Sequence, residues 1–214
     1  PPQPAPDGRL QGVQGGALRV WAPHADFAGR QSVATDEKAA IGRAAAKLVL
    51  PGQVVLIDGG TTAVQMARAL APTLRATVVT HSPSVAVELV ALPGIEVVMI
   101  GGRLFRHSVV NVGAIAMEGI GRVHADTFFL GVTGVHEKAG LSTGDAEEAA
   151  VKRALMGAAA ETVVLASSEK IGVASPHVVA PLAEASTVVV STAAPKAVLA
   201  GWRRRGLEVV VAEP

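Results

Sequence analysis

The 214-residue sequence contains no cysteine, and aromatic residues make up only 3% of it. Without cysteine the chain forms neither disulfide bonds nor thiolate metal sites, which agrees with a reducing cytosol. No apolar run approaches the roughly 18 residues that a membrane-spanning helix needs, and the N-terminal PPQPAPDGR lacks a signal-peptide pattern. The formal charge is +1, so composition does not favour a polyanionic partner. We therefore expect a cytoplasmic protein with no membrane partner.

Half of the residues are hydrophobic, and most of these are Ala, Val and Leu, which suit buried parallel strands and closely packed helices. From Thr35 onwards, short apolar segments alternate with segments of helical periodicity, a pattern typical of βαβ units. The sequence therefore predicts an α/β fold with a mostly parallel sheet flanked by helices. The predicted strands are 53–58, 76–80, 95–102, 126–135, 161–170, 186–192 and 207–212, and the predicted helices begin at 35, 63, 83, 113, 145 and 194.

Residues 1–34 are rich in proline and glycine and lack a periodic apolar pattern. We interpret them as a linker or arm that is partly disordered, and residues 35–214 as the α/β domain. Thr35 is predicted to cap the first helix, with two acidic residues in the favourable first turn.

Residues rich in Gly, Ser and Thr follow several predicted strands, at 58–62, 80–84, 101–103, 131–134 and 167–170. In an open α/β sheet, ligands bind beyond the carboxyl ends of the strands. Glycines let backbone N–H groups approach a ligand, hydroxyls add donors, and helix N-termini add unpaired N–H groups with a positive dipole end. The sequence therefore predicts a pocket for a phosphate or a carboxylate.

The stretch Asp58-Gly59-Gly60-Thr61-Thr62 also has an explanation that needs no ligand. Thr62 and Gln65 match a capping box, and the two glycines can supply positive φ angles in a turn. Ser82-Pro83 likewise matches an N-cap followed by proline at the first helical position. Local sequence alone supports a capped turn and an anion-binding loop equally well.

The charged residues give weaker signals. Glu148 and Lys152 lie four residues apart, and by themselves favour an exposed ion pair worth about 0.3–0.5 kcal/mol. Lys170, beside two serines, could pair with a phosphate or be solvated. The histidines lack metal-ligand spacing, so we expect no metal site. Arg203-Arg204-Arg205 complements the end of a helix and only weakly suggests nucleic-acid binding.

The segments IDGGTT, VVTHS, VVMIGGRL, VGAIA, ADTFFLGVTGV, EEAAVKRAL and SSEKIG occur in a distinctive order and spacing. Through them the chain resembles, over about residues 36–192, the C-terminal effector-sensing domain of the DeoR family of bacterial transcription regulators. The resemblance implies the fold of ribose-5-phosphate isomerase and the CoA transferases. It also implies a phosphorylated sugar or related metabolite as effector.

DeoR-type regulators carry an N-terminal winged helix-turn-helix that binds operator DNA. RLQGVQGGAL at 9–18 looks like the connector that follows the wing, and the helix-turn-helix itself is missing. The resemblance therefore implies a fragment or truncated chain that senses effector and meets DNA only through the missing domain. It also implies a probable repressor that forms a homo-oligomer.

The resemblance assigns effector-binding roles to residues at the strand ends. Three of the surrounding positions depart from the family pattern: His81 replaces Asn and adds a group that titrates near neutral pH, Ser167 replaces Asp, and Glu169 replaces a small residue. These departures indicate an unusual effector or weakened binding. The implied effector-binding residues are Asp58, Gly59, Gly60, Thr61, Thr62, Thr80, His81, Ser82, Gly101, Gly102, Arg103, Gly131, Glu148, Lys152 and Lys170.

Two other functions stay open. A sugar-phosphate isomerase would use Asp58 or Glu148 as base and Lys152 as electrostatic helper. The acidic D-G-A-D-E loop of the isomerases is missing from this sequence, so we expect no enzyme and no cofactor. A pure oligomerisation module with a vestigial pocket would respond to no ligand.

Overall fold

Strands and helices alternate along the computed structural model, which describes residues 8–13, 16–21 and 26–214. The strands are β1 (Gly8–Val13), β2 (Gly16–Trp21), β3 (Val54–Ile57), β4 (Ala76–Thr80), β5 (Ile95–Met99), β6 (Arg103–Phe105), β7 (Val110–Val112), β8 (Ala125–Gly131), β9 (Gly134–His136), β10 (Gly140–Thr143), β11 (Ala159–Ala166), β12 (Val173–Ala174), β13 (His177–Ala180), β14 (Thr187–Ser191) and β15 (Glu208–Ala212). The helices are α1 (Phe27–Gln31), α2 (Thr35–Ala46), α3 (Thr61–Ala69), α4 (Pro83–Leu89), α5 (Ala114–Ile120), α6 (Ala146–Gly157) and α7 (Lys196–Arg204).

Seven parallel strands form the central sheet, in the spatial order β15-β14-β11-β8-β3-β4-β5. They correspond to the seven strands that the sequence predicts, and the α/β fold class is confirmed. The chain first runs outward from β3 through β4 to β5, and then returns to place β8 on the other side of β3. The order therefore reverses between β3 and β8, where their carboxyl ends open a crevice.

Two apolar clusters cover the two faces of this sheet, because successive side chains of a strand point to opposite faces. Leu56 of β3 packs with residues of α5, α6 and α7, such as Ile120 and Trp202. Val55 and Ile57 of the same strand pack with α2, α3 and α4. Strands buried on both faces explain why their sequences read as continuous apolar runs rather than as alternating ones.

Smaller sheets complete the fold. β9, β10 and β13 pair antiparallel, β6 pairs with β7, and β1 and β2 form a hairpin that β12 extends. The sequence predicts none of these as separate strands, because most have only two to four residues. The predicted strand 126–135 is accordingly divided into β8 and β9.

The segment for which the sequence predicts an arm contains β1, β2 and α1. Hydrogen bonds join α1 to the domain: the backbone N–H of Phe27 donates to His107 O at 2.8 Å, and Lys38 Nζ donates to Arg30 O at 2.8 Å. Residues 1–7, 14–15 and 22–25 of the predicted arm lie outside the described residues.

Two predicted helix caps are wrong. Thr35 is the first residue of α2, and the cap is Ala34, at φ 50° and without a side-chain hydrogen bond. The capping box of Thr62 is absent because α3 begins at Thr61, after Gly60 at φ 105°. The cap of α4 is confirmed, since Ser82 Oγ accepts a hydrogen bond from the N–H of Val85. Among the described residues, no helix is long and apolar enough to cross a membrane.

Gly42 lets α2 and α3 pack closely. A Cβ at this position would lie 2.7 Å from backbone atoms of Gln65 and Met66, and backbone atoms cannot rotate away. We expect Gly42→Ala to lower the free energy of unfolding by about 1–3 kcal/mol, as overpacking does, in urea denaturation. The control is Gly157→Ala at the end of α6, where a Cβ meets nothing within 4 Å. Equal effects of the two substitutions would contradict this prediction.

Candidate functional site

A buried carboxylate lies at the point where the strand order reverses. Asp58 follows β3 directly and is fully buried. Its Oδ1 accepts hydrogen bonds from the N–H of Gly59 at 2.7 Å and from His81 Nε2 at 2.8 Å. Its Oδ2 accepts from the N–H of Gly131 at 2.9 Å and from Lys152 Nζ. One side chain thus joins the ends of β3, β4 and β8 to α6.

Lys152 is the main charge partner of Asp58. It is 3% exposed, and its Nζ also contacts Gly131 O at 2.9 Å and Glu148 Oε1 at 3.3 Å. Burial lowers the pKa of Lys152, but the carboxylates of Asp58 and Glu148 outweigh burial and raise it. Burial likewise raises the pKa of Asp58, and the charge of Lys152 with the His81 hydrogen bond holds it well below its usual range. The interpretation of Glu148 and Lys152 as an exposed ion pair is therefore wrong.

His81 belongs to this network and is fully buried. Its Nδ1 lies 2.9 Å from Asn111 O and its Nε2 lies 2.8 Å from Asp58 Oδ1. Both ring nitrogens therefore lie within hydrogen-bond distance of an oxygen atom of the network. The histidine that the sequence places beside an effector thus supports the carboxylate instead.

A cavity adjoins the network, and we call it the switch-point cavity. Its enclosed volume is about 70 Å³, while one water needs roughly 10–15 Å³, so it suits a group of a few heavy atoms. The cavity is lined by Arg30, Val33, Lys38, Gly59, Gly60, Thr61, Thr62, Ser108, Gly131, Val132, Thr133, Thr143, Glu148, Lys152, Glu169 and Lys170.

Unpaired polar atoms concentrate in this cavity. Among the described residues, four buried side-chain atoms have no hydrogen-bond partner, and three of them belong to residues that line it: Thr62 Oγ1, Thr143 Oγ1 and Glu169 Oε2. Native proteins pair the large majority of such atoms. The first-turn N–H groups of α3 have no partner within the helix, and Gly60 offers no side-chain cap. The cavity therefore presents free donors where a polar ligand fits.

The cavity has an excess of positive charge. The lining includes four cations, Arg30, Lys38, Lys152 and Lys170, and two carboxylates, Glu148 and Glu169. The amine of Lys170 makes no hydrogen bond or ion pair with the described residues. Burial is the main cause that lowers the pKa of Lys170 to about 8; Lys38 and Arg30 add to it, and Glu169 opposes it. The net charge of two positive units favours an anionic ligand.

The structure brings about half of the sequence-derived site residues to the cavity. Those that line it are Gly59, Gly60, Thr61, Thr62, Gly131, Glu148, Lys152 and Lys170. Asp58, Thr80, His81 and Ser82 are buried and do not line it. Thr80 Oγ1 donates to Ile57 O at 2.7 Å and accepts from the N–H of Ser82 at 3.1 Å, so these residues fix the strand ends.

Gly101, Gly102 and Arg103 do not reach the cavity. They follow β5, the edge strand, which is two strands away from β3. Arg103 is mostly exposed and pairs with Glu147. The strand-end rule therefore applies most strongly at the reversal of strand order and weakens toward the edge of the sheet.

Several lining residues carry no sequence signal. Arg30 lies in the segment interpreted as an arm, and Ser108 lies in a loop without a pattern. Thr143 ends β10, a strand too short to predict, although its position before the α6 cap Asp145 is a strand-end signal. Within the described part of the chain, no group of three side chains suits a metal ion.

Replacing Asp58 by Asn removes the carboxylate that Lys152 and His81 contact, and leaves the buried ammonium group of Lys152 without its main charge partner. We expect Asp58→Asn to lower the free energy of unfolding by roughly 3–5 kcal/mol near neutral pH. The exposed pair of Glu118 and Arg122 supplies the control Glu118→Gln, with an expected effect below about 1 kcal/mol.

The pH dependence tests the same network. The folded-state pKa of Asp58 is lowered, so its stabilisation is full above the unfolded pKa of about 3.9 and is lost as pH falls through the folded value. Urea denaturation should show a wild-type advantage over Asp58→Asn that is constant from about pH 6 to 7 and shrinks below about pH 4. An advantage independent of pH would rule out an ionised Asp58.

A family model described as the DeoR C terminal sensor domain matches residues 33–192. The HTH-type transcriptional repressor GlcR of Bacillus subtilis is 30% identical over 203 residues, which are 94% of this chain and 78% of the relative. The HTH-type transcriptional regulator GolR of Listeria innocua is 29% identical over 208 residues, 96% of this chain and 82% of the relative.

Among solved structures, ribose 5-phosphate isomerase A of Methanocaldococcus jannaschii is similar to part of the fold. It has a TM-score of 0.47 and 21% identity, and the match covers 64% of this chain and 54% of that one. The family model, in contrast, covers most of the sequence and all of the strands that meet at the reversal of strand order. The chain belongs to the DeoR family of transcriptional regulators and contains that family's C-terminal sensor domain.

Proposed function

We propose that this domain senses a phosphorylated sugar or a related phosphorylated metabolite, and that occupancy changes DNA binding by the regulator, in the cytoplasm. The observation that carries the proposal is the convergence of unpaired donors and excess positive charge in the switch-point cavity. The relatives GlcR and GolR are named as regulators of transcription. A small anion is the ligand class that this lining satisfies best.

The N-terminus of α3 suits a phosphate. Its free N–H groups and the positive end of the helix dipole face an anion favourably, and the free hydroxyl of Thr62 lies in the same turn. Thr143 adds a second free hydroxyl from β10. Together these donors can form hydrogen bonds with several phosphate oxygens at once.

The two lysines have different parts in this proposal. Lys152 contacts Asp58, Gly131 O and Glu148, so its three protons are already used. Lys170 has no partner among the described residues, and we assign it the contact with the phosphate. Because the pKa of Lys170 is about 8, its amine is mostly charged at neutral pH. A bound dianion would raise this lowered pKa.

The cavity also suggests how occupancy could be transmitted. Arg30 belongs to α1, on the N-terminal side of the domain, where its guanidinium lies 3.4 Å from His107 O and 3.5 Å from Ser108 Oγ. An anion that attracts Arg30 would favour one position of α1 over another. Ligand shifts such an equilibrium only by its difference in affinity for the two states.

An isomerase is the weaker alternative. The candidate base Asp58 accepts four hydrogen bonds, and its pKa is held low. A general base needs a free oxygen within reach of the substrate proton. Glu148 has its oxygens near Lys152 and Ser108. In both carboxylates, each oxygen already has a partner.

We also propose that the domain forms a homo-oligomer through the edge of the sheet at β5. Of the nine large exposed apolar side chains in the described residues, six lie on α4, β5, β6 and α5, and a seventh, Val90, directly follows α4. An unpaired edge strand with apolar flanks favours pairing with another chain. A two-fold axis across β5 would place each flanking helix against its own copy. These residues, the β5 edge patch, are Val87, Val90, Val98, Met99, Leu104, Ile115 and Met117.

The oligomer prediction can be tested with charged substitutions. Val87 on α4 and Val90 directly after it are 71% and 80% exposed, so Val87→Lys with Val90→Lys should not disturb the core. We expect the double variant to have the mass of a monomer in light scattering, where the wild type has the mass of a larger assembly. Leu50→Lys, at a site 57% exposed outside the patch, should keep the wild-type mass. A wild-type monomer would contradict the proposal.

Ligand binding gives the main test. In calorimetry and thermal-shift measurements with inorganic phosphate and a panel of sugar phosphates, at least one compound should bind and stabilise the protein. Thr62→Val and Lys170→Met should each weaken binding by about tenfold or more, because each removes a hydrogen bond to a charged group. Lys47→Met, at an exposed lysine, should bind as the wild type does.

Binding should also depend on pH. Since the ligand needs the charged form of Lys170, affinity should fall as pH rises above about 8, and Lys170→Met should lack this fall. Stabilisation by an unphosphorylated class of compound, with no effect of any phosphorylated one, would disprove the phosphate proposal.

A further inference from the structure

Glu169 brings a free carboxylate oxygen into a cavity that otherwise favours anions. It lies in the 3-10 turn Ser168–Lys170 that follows β11. Its Oε1 accepts a hydrogen bond from Ser167 Oγ at 2.6 Å, whereas its Oε2 is buried with no partner among the described residues. The other lining carboxylate, Glu148, has Lys152 at 3.3 Å from Oε1 and Ser108 Oγ at 3.3 Å from Oε2. Glu169 therefore has acceptor capacity left for a ligand.

Hydrogen bonds to Glu37 of α2 fix the turn that contains Glu169. The Glu37 carboxylate accepts hydrogen bonds from Ser168 N and Ser168 Oγ, each at 2.9 Å, and from Ser191 Oγ at 2.5 Å. The Ser167 hydroxyl then orients the Glu169 carboxylate. Because Glu37 holds the turn and Ser167 holds the carboxylate, the Glu169 side chain has little freedom to turn away from a bound group.

Charge balance limits what can occupy the cavity. The net charge of the lining is two positive units, and a phosphate group carries about −1.5 to −2 at neutral pH. Because Asp58 already balances the charge of Lys152, one phosphate offsets all of the positive charge that remains in the lining. A second anionic group would be enclosed beside Glu169 with no compensating charge, and such juxtaposition of like charges is strongly unfavourable. A hydroxyl or ammonium group would instead donate to Oε2 and satisfy it.

We propose that Glu169 restricts the effector to molecules with a single phosphate whose remaining part offers hydroxyl or amino donors. Metabolites with a second anionic group, such as sugar bisphosphates and phosphorylated sugar acids, are rejected. This inference rests on the proposed phosphate site and adds the class of ligand. Ser167 and Glu169 are two of the three departures from the family pattern, and they contact each other, so they act as one unit.

Two kinds of probe pair test the inference on the whole chain. The first pair is inorganic phosphate and inorganic pyrophosphate, which differ by a second anionic group. The second pair is glucosamine 6-phosphate and 6-phosphogluconate, which carry a cationic and an anionic group away from the phosphate. Dissociation constants are measured by calorimetry for the wild type, for Glu169→Gln, and for the control Glu161→Gln, which changes an exposed carboxylate on β11, the strand before the turn.

The wild type and Glu161→Gln should bind phosphate more tightly than pyrophosphate. In Glu169→Gln, the affinity ratio should move toward pyrophosphate by about tenfold or more, since the repelling charge is gone. The affinity for 6-phosphogluconate, relative to the affinity for glucosamine 6-phosphate, should likewise be higher in Glu169→Gln than in the wild type. Phosphate binding itself should persist in Glu169→Gln, which shows that the cavity is intact.

The failures of the two proposals are distinguishable. If phosphate binds and the phosphate-to-pyrophosphate ratio is the same within about twofold in wild type and Glu169→Gln, the role of Glu169 is overturned while the phosphate site stands. If none of the four probes binds to any of the three proteins, the phosphate site is overturned and the role of Glu169 with it.

Discussion

The rest of the site depends on the hydrogen-bonded carboxylate of Asp58. Burying an ion has an effective penalty of several kcal/mol, and here four donors, one of them the ammonium group of Lys152, offset it. The donors come from the ends of β3, β4 and β8 and from α6, so the carboxylate is stable only when all four elements are in place. Gly131 must also lack a side chain, because a Cβ there would lie 2.9 Å from Gly59 O. The electrostatics and the packing therefore specify the same arrangement of strand ends.

This arrangement separates residues that build the site from residues left free for a ligand. Asp58, His81 and Lys152 use their hydrogen-bonding groups on one another and on the backbone. Among the described residues that line the cavity, unpaired side-chain groups belong to Thr62, Thr143, Glu169 and Lys170. The buried network around Asp58 is fully hydrogen-bonded, whereas the groups that face the cavity are not. The buried network can therefore hold the cavity rigid while a ligand pairs with the groups that face it.

The sequence predicted the central sheet well because its strands are buried on both faces and read as continuous runs of Val, Ile and Leu. It also identified the loop at 58–62, because the strand-end rule is strongest where the order reverses. It could not separate Asp58 and His81 from ligand-contacting residues, since burial beneath a cavity is a property of three-dimensional packing. Arg30 was missed for a related reason: its segment has no periodic pattern and gains its place through contacts with Ser108, 78 residues away in the chain.

The cavity walls come from elements that are far apart in the chain, and this bears on regulation. α1 contributes Arg30, α3 contributes Thr62, β10 contributes Thr143, and the turn after β11 contributes Lys170. Without a ligand, the positive charges of Arg30 and Lys170 repel each other; an anion between them would attract both. The change is largest for groups that have no other partner, which here means Lys170, and smallest for Lys152, which Asp58 already holds. A ligand would therefore act on the outer walls of the cavity, including α1, and leave the strand ends fixed by Asp58 where they are.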